Sequence, residues 1–157
     1  MSKIKVGYLP LYIKLYDESN PKTREPLEKY MQTLISMIEG EDIEVIPAPV
    51  CRIKPEFDAA AKMFNEQDVD AVITQHLAYS PSLESIEALL SIKAPLIVFD
   101  TTPDYDLLGT AGYKRLITPN HGIHGVQDMC NLLRQRGRDF QINFTEYYSR
   151  LSTGCGW

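Results

Sequence analysis

At 157 residues, with 44% hydrophobic and 24% charged side chains, the chain has the make-up of one globular domain with enough apolar material to bury a core. Its net charge of −5, from 16 basic against 21 acidic residues, comes without a basic patch interleaved with aromatics, so nucleic acid is not expected as a partner. No apolar run approaches the roughly 20 residues that cross a bilayer, and no membrane association is expected.

Residues 4–9 read as a strand that starts almost at the first residue and stops at Pro10, which also breaks any signal-peptide core. Residues 11–18 read as a loop or short helical turn, and Ser19-Asn20-Pro21 and Pro26 punctuate the approach to a helix. There Leu27, Met31, Leu34, Ile35 and Ile38 form an amphipathic stripe that Gly40 stops. Residues 43–46 give a second strand, closed by Pro47-Ala48-Pro49, with Val50-Cys51-Arg52 as a loop. Phe57, Ala60, Ala61 and Phe64 make the next helical stripe.

Residues 71–74 are a continuous apolar run of the buried parallel-strand type, and 75–79 the loop after it. Ser80-Pro81 starts a helix whose apolar face is Leu83, Ile86 and Leu90. Residues 96–100 are the fourth strand, and 106–119 the least regular stretch. The block Asn120-His121-Gly122-Ile123-His124-Gly125 then opens a helix to about Arg136, with Val126, Met129, Cys130 and Leu133 on one face. Residues 140–144 form a fifth strand, and 147–157 a loosely ordered tail.

Strands and helices alternate at βαβ spacing. That predicts a single three-layer α/β domain with a doubly wound, mostly parallel sheet of flavodoxin-like or Rossmann-like type. In such folds ligands bind beyond the carboxyl ends of the strands. The polar, proline-rich loops after the first four strands all belong to that edge.

The first of these loops has no G-x-G-x-x-G, and Pro10-Leu11-Tyr12 is a poor cradle for a phosphate, which argues against dinucleotides and flavin mononucleotide. His121 and His124 stand at i, i+3, with His76 in another loop, but no carboxylate completes a donor set, so no metal held by this chain alone is expected. Gly122 and Gly125 would let a ligand or another chain come close to a helix N-terminus, whose free N–H groups favour polar guests. The plainer reading is that Asn120 caps the helix and leaves His121 exposed. Cys51 beside Arg52 reads as a packing residue rather than a nucleophile. Cys51, Cys130 and Cys155 form neither a C-x-x-C pair nor an even framework, which suits a reducing cytoplasm. Asp100-Thr101-Thr102 either contacts a ligand or satisfies loop backbone. Tyr12, Tyr16, Tyr79 and Tyr105 gather in loops at the same edge, where they suit stacking on a sugar or a protein interface.

Five separated blocks carry a family resemblance: residues 9–17, 48–52, 76–82, 100–103 and 120–128. In order and as far as about Phe144, they resemble the N-terminal part of L-fucose and L-arabinose isomerase-like proteins. Members of that family interconvert aldoses and ketoses with a divalent metal, typically manganese. The resemblance implies that the metal ligands and catalytic glutamates lie in further domains, so no catalytic residue and no Mn2+ ligand is expected within this chain. It implies a substrate-recognition and oligomerisation role, in which this domain reaches into a neighbouring subunit's site to meet a pentose or deoxyhexose. Homo-oligomeric contacts, or contacts with the isomerase's remaining domains, are then expected. His121 matches the family's histidine, and Leu11 and Tyr12 match the loop after the first strand; Gln75, His76 and Tyr79 are further carry-overs. Asn120 and His124 join them as the wall of a polyol site. Arabinose isomerases have a glutamine shortly before the histidine where this chain has Thr118-Pro119-Asn120, which leaves the sugar open. The rival expectation is a stand-alone sugar-binding or regulatory module without isomerase activity, and a purely structural assembly domain is a third.

Overall fold

The computed structural model describes residues 2–103 and 118–146. In chain order these form β1 (Ile4–Leu11), α1 (Lys14–Ser19), a 3-10 turn (Pro21–Thr23), α2 (Arg24–Ile38), β2 (Ile43–Pro47), α3 (Lys54–Gln67), β3 (Ala71–His76), α4 (Ser82–Ser91) and β4 (Leu96–Thr102). A second 3-10 turn (Thr118–Asn120), α5 (Gly122–Gln135) and β5 (Phe140–Glu146) complete them. The five strands pair in parallel in the order β2-β1-β3-β4-β5, the doubly wound arrangement that the βαβ spacing predicts. Tyr105, Cys155, most of the irregular stretch at 106–119 and the tail at 147–157 lie outside the described residues.

The sheet separates two apolar layers. On one side Tyr8 and Tyr12 pack with Leu27, Met31 and Ile35 of α2. On the other, Leu9 and Leu11 pack with Phe57, Ala60, Ala61 and Phe64 of α3, Ile86 and Leu89 of α4, and Val126, Met129 and Leu133 of α5. The alternation along β1 follows from the two-residue period of a strand, and for α2, α3 and α5 the helical stripes read from sequence supply the buried face. α3 approaches β1 so closely that a Cβ at Gly7 would lie 2.8 Å from Phe64 Cδ1.

Several strand ends and one helix face differ from expectation, β4 for instance running on through Thr101 to Thr102. β1 does not stop at Pro10 but runs on to Leu11. Proline is tolerated there because β2 ends at Pro47, opposite Tyr8, and the Pro10 carbonyl accepts from Cys51 N at 3.0 Å. β3 likewise continues through Gln75 and His76, so both stand on a strand rather than in a loop. On α4 the expected apolar face is rotated: Leu83 is 76% exposed, and Ser82, Ser85, Ile86, Ala88 and Leu89 are buried instead. Pro81 is the cap residue outside that helix, and the small Ser82 lets α5 come close, its hydroxyl donating to Gly125 O at 3.4 Å. Among the described residues no helix is long and apolar enough to cross a membrane.

Candidate functional site

β1, β3 and β4 all end on one edge of the sheet, and α5 begins there. The end of β1 is pinned from both sides: Leu77 N donates to Leu11 O at 2.9 Å and Tyr12 N to Cys51 O at 3.0 Å. Leu11 is therefore a core residue in this arrangement, with its side chain fully buried. Tyr12 is buried as well. Its ring meets Tyr16 of α1 edge-on, with centroids 5.9 Å apart, and its hydroxyl has no protein partner. Burial, helped by the charge of Asp17, pushes the Tyr12 phenol up to about 12, so it is a neutral donor near pH 7.

Burial raises the Tyr16 phenol, with a further contribution from the nearby Tyr79. Tyr79 lies 5.7 Å from His121, centroid to centroid, and His121 lies 4.5 Å from His124. Tyr79 and His121 are half-buried and His124 is exposed. The structure thus brings Tyr79, His121 and His124, from two separate segments, into one ridge at the carboxyl edge, while Tyr12 and Tyr16 form a separate aromatic pair after β1.

The start of α5 differs from the capping reading. His121, not Asn120, is the cap residue, and its side chain makes no capping hydrogen bond. Asn120 is buried in the preceding 3-10 turn. The two glycines do serve a close approach, and the group they admit is His76. A Cβ at Gly122 would stand 3.0 Å from His76 O, and one at Gly125 2.7 Å from His76 Nε2. His76 is 4% exposed, neither ring nitrogen has a protein partner, and burial drives its pKa down to about 3. It is a neutral imidazole beneath the first turn of α5.

Gln75, on the opposite face of β3, is 0% exposed and accepts from Tyr8 Oη through Oε1 at 2.5 Å. Tyr30 of α2 reaches across the same layer to Thr101 Oγ1 at 2.6 Å and donates to Thr102 O at 3.1 Å. The Asp100-Thr101-Thr102 segment is accordingly tied into the fold, and burial raises the Asp100 carboxyl.

An ionic clamp holds α1 in place. Asp17 Oδ2 lies 3.1 Å from Arg24 Nη1 and 2.8 Å from Arg52 Nη1; Arg24 also meets Glu28 at 2.7 Å, and Arg52 meets Glu56 at 2.6 Å. Both Arg–Glu pairs have the i,i+4 spacing that a sequence can show, whereas the joint grip on Asp17 depends on tertiary structure. Cys51 is buried, with its thiol 3.2 Å from Pro49 O, and burial together with Glu56 pushes it up to about 12. That is the environment of a packing cysteine.

Among the described residues no three His, Cys, Asp or Glu side chains are grouped so as to hold a metal ion. His121 and His124 approach each other without a carboxylate, and His76 faces the glycines from below. These residues do not fit manganese by themselves.

The fold and its edge define a doubly wound, parallel α/β domain carrying an aromatic and imidazole ridge where such folds take their ligands. No protein-family model matches the chain, and no curated protein shows significant similarity to it.

Proposed function

We propose that this domain is the sugar-recognising wall of an aldose–ketose isomerase of the L-fucose/L-arabinose type, with bond-making left to other domains. The observation that carries this reading is the contact of Tyr79, His121 and His124 at the carboxyl edge of the sheet. An aromatic face offers an apolar platform for the C–H side of a sugar, while imidazole and phenol groups exchange hydrogen bonds with its hydroxyls. The family resemblance of the five blocks supplies the substrate class, a pentose or deoxyhexose.

In this role the chain's residues bind, orient and shield. Tyr79 packs beside the ring or open chain of the sugar, and His121 and His124 fix its hydroxyls. Tyr12 and Tyr16 close the edge against water, and the clamp on Asp17 keeps α1 in place. The manganese of the family would be held by groups outside this segment, where it would supply Lewis-acid chemistry. The homo-oligomeric arrangement that the resemblance implies, and the reducing cytoplasm that the cysteine usage suits, belong to the same proposal.

The test is a titration of the chain with L-fucose, L-arabinose and their alditols, followed by NMR of the histidine ring protons. The expected result is saturable displacement of the His121 and His124 signals, abolished in His121→Ala. Ring signals indifferent to every sugar in the panel would remove the reading. Manganese with these sugars should give no turnover from the chain alone; turnover abolished by a chelator would overturn the division of labour. Tight binding by the chain alone, without turnover, would favour a stand-alone sugar-binding module.

A further inference from the structure

We propose that His76 is a positioning residue: its ring is the seat on which the first turn of α5 rests, and through Gly122 and Gly125 it fixes the placement of the His121–His124 pair against Tyr79. The role rests on the sugar-recognition reading for its purpose, though its geometry stands independently.

Three contacts carry the inference. At Gly122 a Cβ would lie 3.0 Å from His76 O and 3.1 Å from His76 Cβ, so the helix start bears on the backbone of β3. At Gly125, one turn later, it would lie 2.5 Å from Cδ2 and 2.7 Å from Nε2 of the imidazole, and 3.1 Å from Ser80 O. Ser82 Oγ donates to Gly125 O at 3.4 Å from the next segment. Gly125 is therefore held between the His76 ring and the 77–82 segment, which also carries Tyr79. His121 and His124 stand on the same turn, their rings 4.5 Å apart and His121 5.7 Å from Tyr79.

A ring this deeply buried makes no contact with solvent or ligand, so its influence is exerted through the backbone it supports. Among the described residues its nitrogens have no hydrogen-bond partner, so packing rather than hydrogen bonding is what sets the helix position. Close-packed interiors transmit such displacements rather than absorb them. A histidine ring raised or lowered by one methyl group therefore changes the spacing of the ridge above it.

The experiment is a double-mutant cycle on the full chain between His76→Ala and Gly125→Ala. The readouts are His121 and His124 ring-proton shifts, far-UV circular dichroism, and affinity for L-arabinose and L-fucose. Gly125→Ala should shift both ring signals and weaken sugar binding about tenfold, because small misplacements of binding groups are costly. Adding His76→Ala makes room for the methyl and should bring shifts and affinity back to within about threefold of wild type, the strong coupling expected of residues in contact. A folded Gly125→Ala protein with unmoved ring signals overturns the proposal, as does a folded double mutant no closer to wild type than Gly125→Ala. Should Gly125→Ala fail to fold, His76→Ala alone decides, since it must move the same ring signals without altering the helical spectrum. If the wild-type chain ignores both sugars, the sugar reading falls while the ring-proton cycle still judges the role of His76.

Discussion

Replacing Tyr8 with Phe isolates one buried polar contact between the central strands β1 and β3. Tyr8 and Gln75 are both 0% exposed, and the Tyr8 hydroxyl donates to Gln75 Oε1 at 2.5 Å. Burial, with a smaller contribution from Tyr30, raises the Tyr8 phenol, which keeps it a donor at all ordinary pH. Among the described residues Gln75 Nε2 has no hydrogen-bond partner, so the phenylalanine would leave the amide without a hydrogen bond to any of them. Losing the bond costs ~1 kcal/mol and stranding a buried acceptor a further 1–3, giving about 2–4 kcal/mol in total. For a domain of this size that lowers the melting temperature by about 4–16 °C. The assay is urea unfolding of Tyr8→Phe, Gln75→Met and the double mutant, followed by circular dichroism with a common m-value. The double mutant should be more stable than Tyr8→Phe alone, because removing both polar groups lifts the desolvation penalty that removing one exposes. A Tyr8→Phe protein within about 0.5 kcal/mol of wild type, or strictly additive losses in the cycle, would refute the reasoning.

Other consequences of the packing and charge can be measured in the same way. Gly7→Ala puts a methyl 2.8 Å from Phe64 Cδ1 and 3.1 Å from Val72 Cγ2, both buried. It should cost about 1–3 kcal/mol in unfolding experiments, part of which Phe64→Leu restores. Asp17→Asn removes the carboxylate shared by Arg24 and Arg52, so amide exchange in α1 should accelerate with little loss of global stability. Unchanged exchange there would show that the clamp is ornamental. The Arg52 hydrogen bond lowers the Glu56 carboxyl, so its stabilisation is full above the ordinary carboxylate range and disappears as pH falls through the lowered value. Glu56→Gln should flatten that acid limb in melts taken from pH 6 downward. Burial raises the Cys51 thiol to about 12 and the Cys130 thiol to about 11, so native protein should label slowly at both. Mass spectrometry after a brief thiol-reagent pulse checks this, and rapid labelling of either would contradict the packing.

Periodicity made the fold legible. The stripes of α2, α3 and α5 bury the residues that their spacing nominates except Ile38, which with Ala71 and Ile73 of the β3 run is half-buried, and parallel order follows from βαβ alternation. α4 was misread because Leu83 dominates its hydrophobicity, whereas its position between α3 and α5 favours small residues such as Ser82, Ser85 and Ala88 on the buried side. Pro10 and the polar Gln75-His76 pair looked like strand terminators. Their neighbours in space, Cys51, Tyr8 and Gly125, make them acceptable in or at the end of strands, and those neighbours are distant in sequence. At the edge, the gathering of Tyr79, His121 and His124 follows from topology alone. The vertical order does not: the glycines admit His76 rather than a ligand, and Leu11 lies in the core below the ridge. Which groups face water is decided by tertiary packing, and no local pattern records it.

The strand order has a practical corollary for dissecting the molecule. β2 and β1 sit side by side at one end of the sheet, and β3, β4 and β5 fill the other, so a cut in the 48–53 connection leaves two contiguous blocks of strands. Those halves share the β1–β3 seam, reinforced by α3 of the second fragment docking through Phe57 and Phe64 on Leu9 and Leu11 of the first. Coexpressed as separate polypeptides, they are suited to complement one another in trans, which would make this domain a candidate for split-reporter engineering.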